Sequence, residues 1–351
     1  MSNMKKIWER MYKTYGNDGL CTAKKVDTIT SGSLLLDDAT VIGGLPRGRL
    51  IQYAGKEGSG KTFMSLMAIK EWQAMDPNNW AVFVDAEYTY DERWLISLGV
   101  DPDRVFLIKE NNAIEVFTQL CGEPSPQLGK AKSKLGILDM ELEEPSGLGI
   151  IVIDSIAALR SPIAMTKAVG NTNIAPMGRF LPDALTRLTP LLSQTNVVCI
   201  AINQVRVDVT KMWGDPTTSP GGNALKHHHS MMINFTASEA KSGKIFNENG
   251  DVKGHIISAR VDKNKLGPSY RSCSFRIGYL EGIIDQHIEI GELAIKHGII
   301  DRPNIQSYEY KENKWRGKDN FFNGILELNL EQELIDQIKE NKSKTVEQKG
   351  E

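Results

Sequence analysis

Cysteine is scarce in this sequence. Only Cys21, Cys121, Cys199 and Cys273 occur in 351 residues, far apart and without a CxxC pair. That excludes a disulfide framework or a zinc knuckle and predicts reduced thiols. Long apolar runs are also missing. The longest, over residues 150–159, is broken by Asp154, so no membrane span is expected. The start carries Lys5, Lys6, Glu9 and Arg10 without an apolar stretch, so no signal peptide is predicted. A cytoplasmic setting follows as an expectation. An excess of either charge is absent too. There are 42 basic and 44 acidic residues, a net of −2. A balanced total still leaves room for a basic groove. Hydrophobic residues make up 40%, enough at this length to bury a core without cross-links.

What is present reads as four stretches. Residues 1–30 form a polar leader. Met4, Ile7, Trp8, Met11 and Tyr12 recur there at helical spacing, which predicts a short helix for packing on a neighbour. Gly16 to Gly19 is its stop. Residues 31–280 form the main body. Strands are expected at 49–54, 80–84, around 107–108, at 150–153 and at 197–202. Helices are expected at 63–75, 113–120 and 179–192, with Pro182 and Pro190 complicating the ends of the last. Strands alternating with helices predict an α/β fold with a mostly parallel sheet covered by helices. Residues 122–149 look like a surface excursion with at best one short helix. After Asn203 come loop composition and then strands at 230–235, 255–261 and 272–279, with a turn at Asn249-Gly250. Residues 281–340 read as a small α+β domain. It has helices near 289–297 and 330–339 and a strand pair over 308–315. The tail, 341–351, is expected to be disordered.

The strongest motif is Gly55-Lys56-Glu57-Gly58-Ser59-Gly60-Lys61-Thr62. It completes the pattern GxxxxGK[ST] between an apolar strand and a helix. Such a loop turns backbone N–H groups toward phosphate oxygens. The following helix N-terminus favours the same anion. Lys61 would reach the β- and γ-phosphates, and the Thr62 hydroxyl would hold Mg²⁺. Asp154 closes the strand Ile150-Ile151-Val152-Ile153 in the manner of a metal-organising acid, and Ser155 offers a second hydroxyl near the metal. Glu87, just past the strand 80–84, is the candidate to activate water, with Asp85 as local rival. Gln204 ends another strand, where an amide can sense a γ-phosphate. The cofactors expected are ATP and Mg²⁺.

Ordered blocks now carry a specific likeness. They are Gly43-Gly44-Leu45-Pro46-Arg47-Gly48-Arg49, the P-loop, Phe83-Val84-Asp85-Ala86-Glu87, Leu98-Gly99-Val100-Asp101 and Val152 to Leu159. They continue with Ile202-Asn203-Gln204-Val205-Arg206, Gly221 to Lys226 and Lys263-Asn264-Lys265. Over residues 30–340 the chain resembles the RecA-type strand-exchange recombinases, including their phage relatives of the UvsX type. The resemblance implies a RecA-like P-loop NTPase core and a DNA-dependent ATPase. It implies filaments on single-stranded DNA, pairing with homologous duplex DNA, and possible single-strand-binding or mediator proteins as partners. It gives Glu87 the catalytic carboxylate role and Gln204 the nucleotide sensor. Asp91 and Trp94 take the adenine-holding positions, Trp94 in place of the usual tyrosine. Lys263 and Lys265 take the pair that reaches a neighbour's ATP. Two loops, 163–174 and 206–221, would bind DNA, with Arg206, Lys211, Met212, Trp213, Gly221 and Gly222 in the second and Arg179 on the helix after the first.

The sequence departs from that family in three places. The tail mixes lysine with glutamate where relatives are often strongly acidic. Residues 122–149 are longer and more charged. His227-His228-His229 replaces an aromatic-containing position. Read as strand residues, three adjacent histidines point to alternating faces and are expected at an interface or in solvent. Two other readings share the core motifs: a helicase or branch-migration ATPase, and a nucleotide-gated scaffold.

Overall fold

A computed structural model describes residues 3–15, 26–123, 134–161, 175–207, 217–218, 222–238 and 240–347. The chain runs α1 (Asn3–Tyr15), β1 (Thr28–Ile29), α2 (Leu34–Ala39), β2 (Leu45–Pro46), β3 (Leu50–Gly55), α3 (Lys61–Met75) and β4 (Trp80–Asp85). It continues with α4 (Glu92–Ser97), β5 (Val105–Ile108), α5 (Ala113–Cys121), α6 (Ile137–Glu143), β6 (Leu148–Asp154), α7 (Ala175–Thr195) and β7 (Val198–Gln204). Next come β8 (Arg206–Val207), β9 (Thr217–Thr218), α8 (Gly222–His228), β10 (Met231–Ala237), β11 (Lys244–Phe246), β12 (Val252–Asn264), β13 (Arg271–Gly278) and β14 (Gly282–Ile284). The last elements are α9 (Gln286–Lys296), β15 (Asp301–Asn304), β16 (Ser307–Tyr310), β17 (Asn313–Arg316), α10 (Lys318–Glu327) and α11 (Glu331–Glu347).

The central sheet has the order β14-β13-β12-β10-β3-β7-β6-β4-β5, with β11 paired to β12. From β10 to β5 every pair is parallel. β12 to β14 extend it antiparallel, and the Asn249-Gly250 turn joins β11 to β12. Parallel strands covered on both faces need apolar residues at every position, and β6 is buried throughout. Alternation divides its side chains between two cores. Ile150 and Val152 join α3 residues such as Met64 and Ile69 on one face. Ile151 and Ile153 join Val116, Leu138 and Leu185 from α5, α6 and α7 on the other.

Two local expectations need correcting, and one helix is extended. The helix expected at 179–192 forms, and α7 runs through both Pro182 and Pro190 and on to Thr195. Each proline removes one helical hydrogen bond, but Leu181, Leu185, Leu188 and Leu192 form a fully buried stripe that holds the helix to the sheet. His227 and His228 lie on a helix, α8, and not on a strand. His229 just beyond it is buried rather than at a surface, and burial holds its imidazole down at about 3, so it is neutral. α11 continues to Glu347, well past the expected end at 339 and into the stretch expected to be disordered. The helices α2, α4 and α10 had no counterpart in the sequence pattern.

Residues from Ile290 onward build a third apolar cluster around Tyr308, Phe321 and Ile325. Tyr308 and Phe321 stack at 4.7 Å. Two carboxyls fasten this cluster to the main body. Glu289 accepts hydrogen bonds from Ser33 Oγ at 2.9 Å and Leu35 N at 3.1 Å. Burial pushes it up to about 7. Asp38 of α2 meets Lys296 at 2.5 Å, His297 at 3.1 Å and Lys342 at 2.7 Å. Burial works against ionising Asp38, but the Lys296 and Lys342 ammoniums and the hydrogen bond to His297 outweigh it and hold the carboxyl well below the usual range. Asp38→Asn should therefore lower the unfolding free energy by about 2–3 kcal/mol, the low end for a buried pair because the partner side chains are partly exposed. A depressed carboxyl contributes fully above its unfolded value and loses that contribution as pH falls. Denaturant titrations of parent and variant should differ near neutrality, and the difference should begin to shrink only below about pH 4 and vanish once pH falls through the depressed folded value.

Candidate active site

The phosphate loop leaves the end of β3 and enters α3 at Lys61. Gly58 (φ 69°) and Gly60 (φ 87°) occupy left-handed backbone conformations, which glycine alone adopts without strain. A Cβ on Gly60 would also sit 2.2 Å from Ile257 Cδ1. Lys61 is buried and its Nζ donates to Lys56 O at 2.6 Å and to Ser59 Oγ at 3.4 Å. The ammonium is thus folded back onto its own loop. Burial lowers its pKa, while Asp154, Glu87 and Glu57 pull the other way.

Parallel pairing brings the other groups to the same edge. Gly55 pairs with Gln204, and Asp85 with Asp154. All four are the last residues of their strands, at the carboxyl ends where α/β sheets place ligands. Thr62 Oγ1 donates to Asp154 Oδ2 at 2.6 Å. Burial, with Glu87 and Asp85 nearby, raises Asp154 to about 6 against the pull of Thr62 and Lys61. A hydroxyl and a carboxylate side by side, with other carboxylates crowding the charge, suit a hard divalent cation with oxygen ligands. Thr62 and Asp154 would hold it. Mg²⁺ bound there would neutralise phosphate charge.

Glu87 and Asp85 separate cleanly. Asp85 is buried, and its two oxygens accept the backbone N–H groups of Thr89 and Tyr90, both at 3.0 Å. It caps the turn. Glu87 is exposed, and its Oε1 accepts from Ser155 Oγ at 2.5 Å and lies 3.4 Å from Gln204 Nε2. Ser155 thus turns its proton toward Glu87, a contact the sequence reading missed when it set this hydroxyl near the metal. Its position directly after Asp154 was the available signal.

A family model, the RecA N-terminal domain, matches residues 3–284. The chain belongs to the RecA family. The RecA protein of Ruminococcus albus is 33% identical over 303 residues, 86% of this chain and 69% of that protein. The RecA protein of Francisella tularensis subsp. novicida is 34% identical over 315 residues, 90% of this chain and 80% of its own length. As a RecA-family protein it is an ATP-dependent recombinase and a DNA-dependent ATPase that uses ATP with Mg²⁺. RecA-family proteins bind single-stranded DNA and form filaments. The helicase, branch-migration and scaffold readings are not favoured. Among the described residues no helix is long and apolar enough to cross a membrane.

The remaining candidates lie apart from the phosphate loop's hydrogen bonds. Asp91 caps α4 by accepting from Arg93 N at 2.9 Å, and Trp94 Nε1 donates to Tyr279 O at 3.1 Å. Lys263 and Lys265, at the end of β12, donate to Lys226 O and to His227 O, the latter at 3.0 Å. Both ammoniums thus occupy the C-terminal carbonyls of α8, where cations are favoured. Arg206 opens β8, which pairs antiparallel with β9 and closes the base of the second loop. Arg179 falls in α7 and Gly222 begins α8. Lys211, Met212, Trp213, Gly221 and the whole first loop, 163–174, lie outside the described residues.

Proposed function

We propose that this recombinase polymerises on single-stranded DNA, pairs it with homologous duplex and exchanges strands, with ATP hydrolysis releasing the complex. The observation that carries the reading is the convergence of Lys61, Thr62, Asp154, Glu87 and Gln204 at one sheet edge. In this reading the loop from Gly55 to Thr62, including Lys56, Glu57 and Ser59, cradles the triphosphate. Lys61 binds its β- and γ-phosphates, and Gln204 senses the γ-phosphate. Glu87 takes the proton of the attacking water. Asp91 and Trp94 flank the base. Arg179, Arg206, Lys211, Met212, Trp213, Gly221 and Gly222 serve the DNA. We place the protein in the cytoplasm, with single-strand-binding or mediator proteins as loading partners. Residues 1–30, 31–280 and 281–340 act as assembly segment, ATPase core and small C-terminal domain.

Lys263 and Lys265 complete a neighbour's site, as an arginine finger does. The double variant Lys263→Ala, Lys265→Ala should still bind ATP, since each subunit keeps its own loop. DNA-stimulated hydrolysis should fall by ~10³-fold, the range for losing such a cation. The test is phosphate release against added single-stranded DNA, with electron microscopy of the same samples. DNA-stimulated turnover with filaments in the parent supports the function. Full activity in the double variant would show that the site is complete within one subunit.

A further inference from the structure

Ser155 is fully buried, while Glu87, which it contacts, is exposed. Their meeting is built into the backbone. Ala86 N donates to Asp154 O at 2.8 Å and ties the end of β4 to the end of β6. Ile156 N donates to Ile202 O at 2.9 Å and ties the next residue of that turn to β7. Ser155 is therefore anchored between the two ties. An exposed glutamate otherwise samples many rotamers and loses that freedom only at an entropic cost. Here a hydroxyl donates to it at 2.5 Å, and a charge-assisted bond of that kind is among the stronger ones.

The two donors meet the same atom. Ser155 Oγ and Gln204 Nε2 both face Glu87 Oε1. Among the described residues no hydrogen bond to Oε2 is found. One oxygen is thus held, and the other is free to accept.

We propose that Ser155 is a positioning residue for hydrolysis, its hydroxyl fixing Glu87 Oε1 so that Oε2 receives the proton of the attacking water. This rests on Glu87 being the water-activating carboxylate. In the step, the water oxygen forms a bond to the γ-phosphorus and the bond to the ADP oxygen breaks. ADP leaves with that electron pair, and the proton goes to Oε2. Ser155 keeps its own proton throughout. The role differs from metal ligation, which would use a lone pair of Oγ on Mg²⁺.

A double-mutant cycle separates these roles. Ser155→Ala should lower DNA-stimulated kcat by about 10- to 100-fold, the loss expected for one hydrogen bond to a charged group. ATP affinity should stay within about twofold, because transition-state positioning and ground-state binding separate. On a Glu87→Gln background, Ser155→Ala should add less than about twofold, because the group it positions has already lost its basic oxygen. Losses that multiply would overturn the proposal, since a merely structural role acts independently of Glu87. Binding of a non-hydrolysable ATP analogue, titrated with Mg²⁺, provides a readout that does not involve turnover. An unchanged half-saturating Mg²⁺ concentration is expected, and a raised one would assign Ser155 to the metal instead. Should Ser155→Ala fail to fold, Ser155→Cys keeps the shape with a weaker donor. It should show the same pattern at smaller size. Parental kcat in a Ser155 variant, with Glu87→Gln inactive, would sink this proposal alone. An active Glu87→Gln would sink the reading of Glu87 beneath it.

Discussion

Glu87→Gln should bind ATP as the parent does and hydrolyse it at least ~100-fold more slowly, the range for loss of a general base. Glutamine keeps the shape and still accepts from Ser155 and meets Gln204. What it loses is the basic oxygen. The parental geometry shows why this substitution is selective. Glu87 is exposed and takes no part in either apolar core, and its hydrogen-bonded neighbours, Ser155 and Gln204, lie at the ends of β6 and β7. Asp85 offers no equivalent. Both of its oxygens are engaged by backbone N–H groups of the turn, so Asp85→Asn should damage folding and turnover together. Single-stranded DNA complexes of Glu87→Gln should outlast those of the parent in ATP. Equilibrium nucleotide binding and phosphate release, measured on the same preparation, check both halves. Normal turnover would move water activation to another group.

How much of this was legible in the sequence depends on the range of each interaction. The phosphate loop is local: glycines, Lys61 and Thr62 lie within eight consecutive positions, and the flanking strand and helix read correctly from apolar pattern. The parallel sheet followed from the alternation of strands with helices along the chain. Asp154 followed from its place at a strand end. What failed depended on tertiary packing. Pro182 and Pro190 left the ends of the helix at 179–192 open, and a buried leucine stripe carries α7 through both and out to 175–195. His227 and His228 end a helix, α8, that packs against α7, where His228 Nδ1 lies 3.4 Å from Thr189 Oγ1. Ser155 and Glu87 are 68 positions apart. Only the pairing of Asp85 with Asp154 puts them side by side. The resting place of Lys263 and Lys265 on α8 is likewise a product of how β12 and α8 end together, and no spacing announces it.

Lys61→Ala should weaken ATP binding by at least ~100-fold, the scale of a lost charge-assisted hydrogen bond in a partly buried site. Three features point to so large an effect. Lys61 is buried at the first position of α3, so its charge is poorly screened by water. Its ammonium rests on Lys56 O within the same loop, where it is close to the phosphate path and needs little rearrangement. Glu57, Glu87 and Asp154 stand near it. With Lys61 removed, a polyanionic ligand meets three carboxylates without the cation that offsets them. Lys61→Arg distinguishes charge from shape. It keeps the positive charge but replaces a compact ammonium with a planar fork in a buried position. It should recover part of the binding and little of the turnover. Isothermal titration of ATP with and without Mg²⁺ measures all of this in the absence of DNA. ATP affinity in Lys61→Ala equal to that of the parent would show that this loop does not hold the nucleotide.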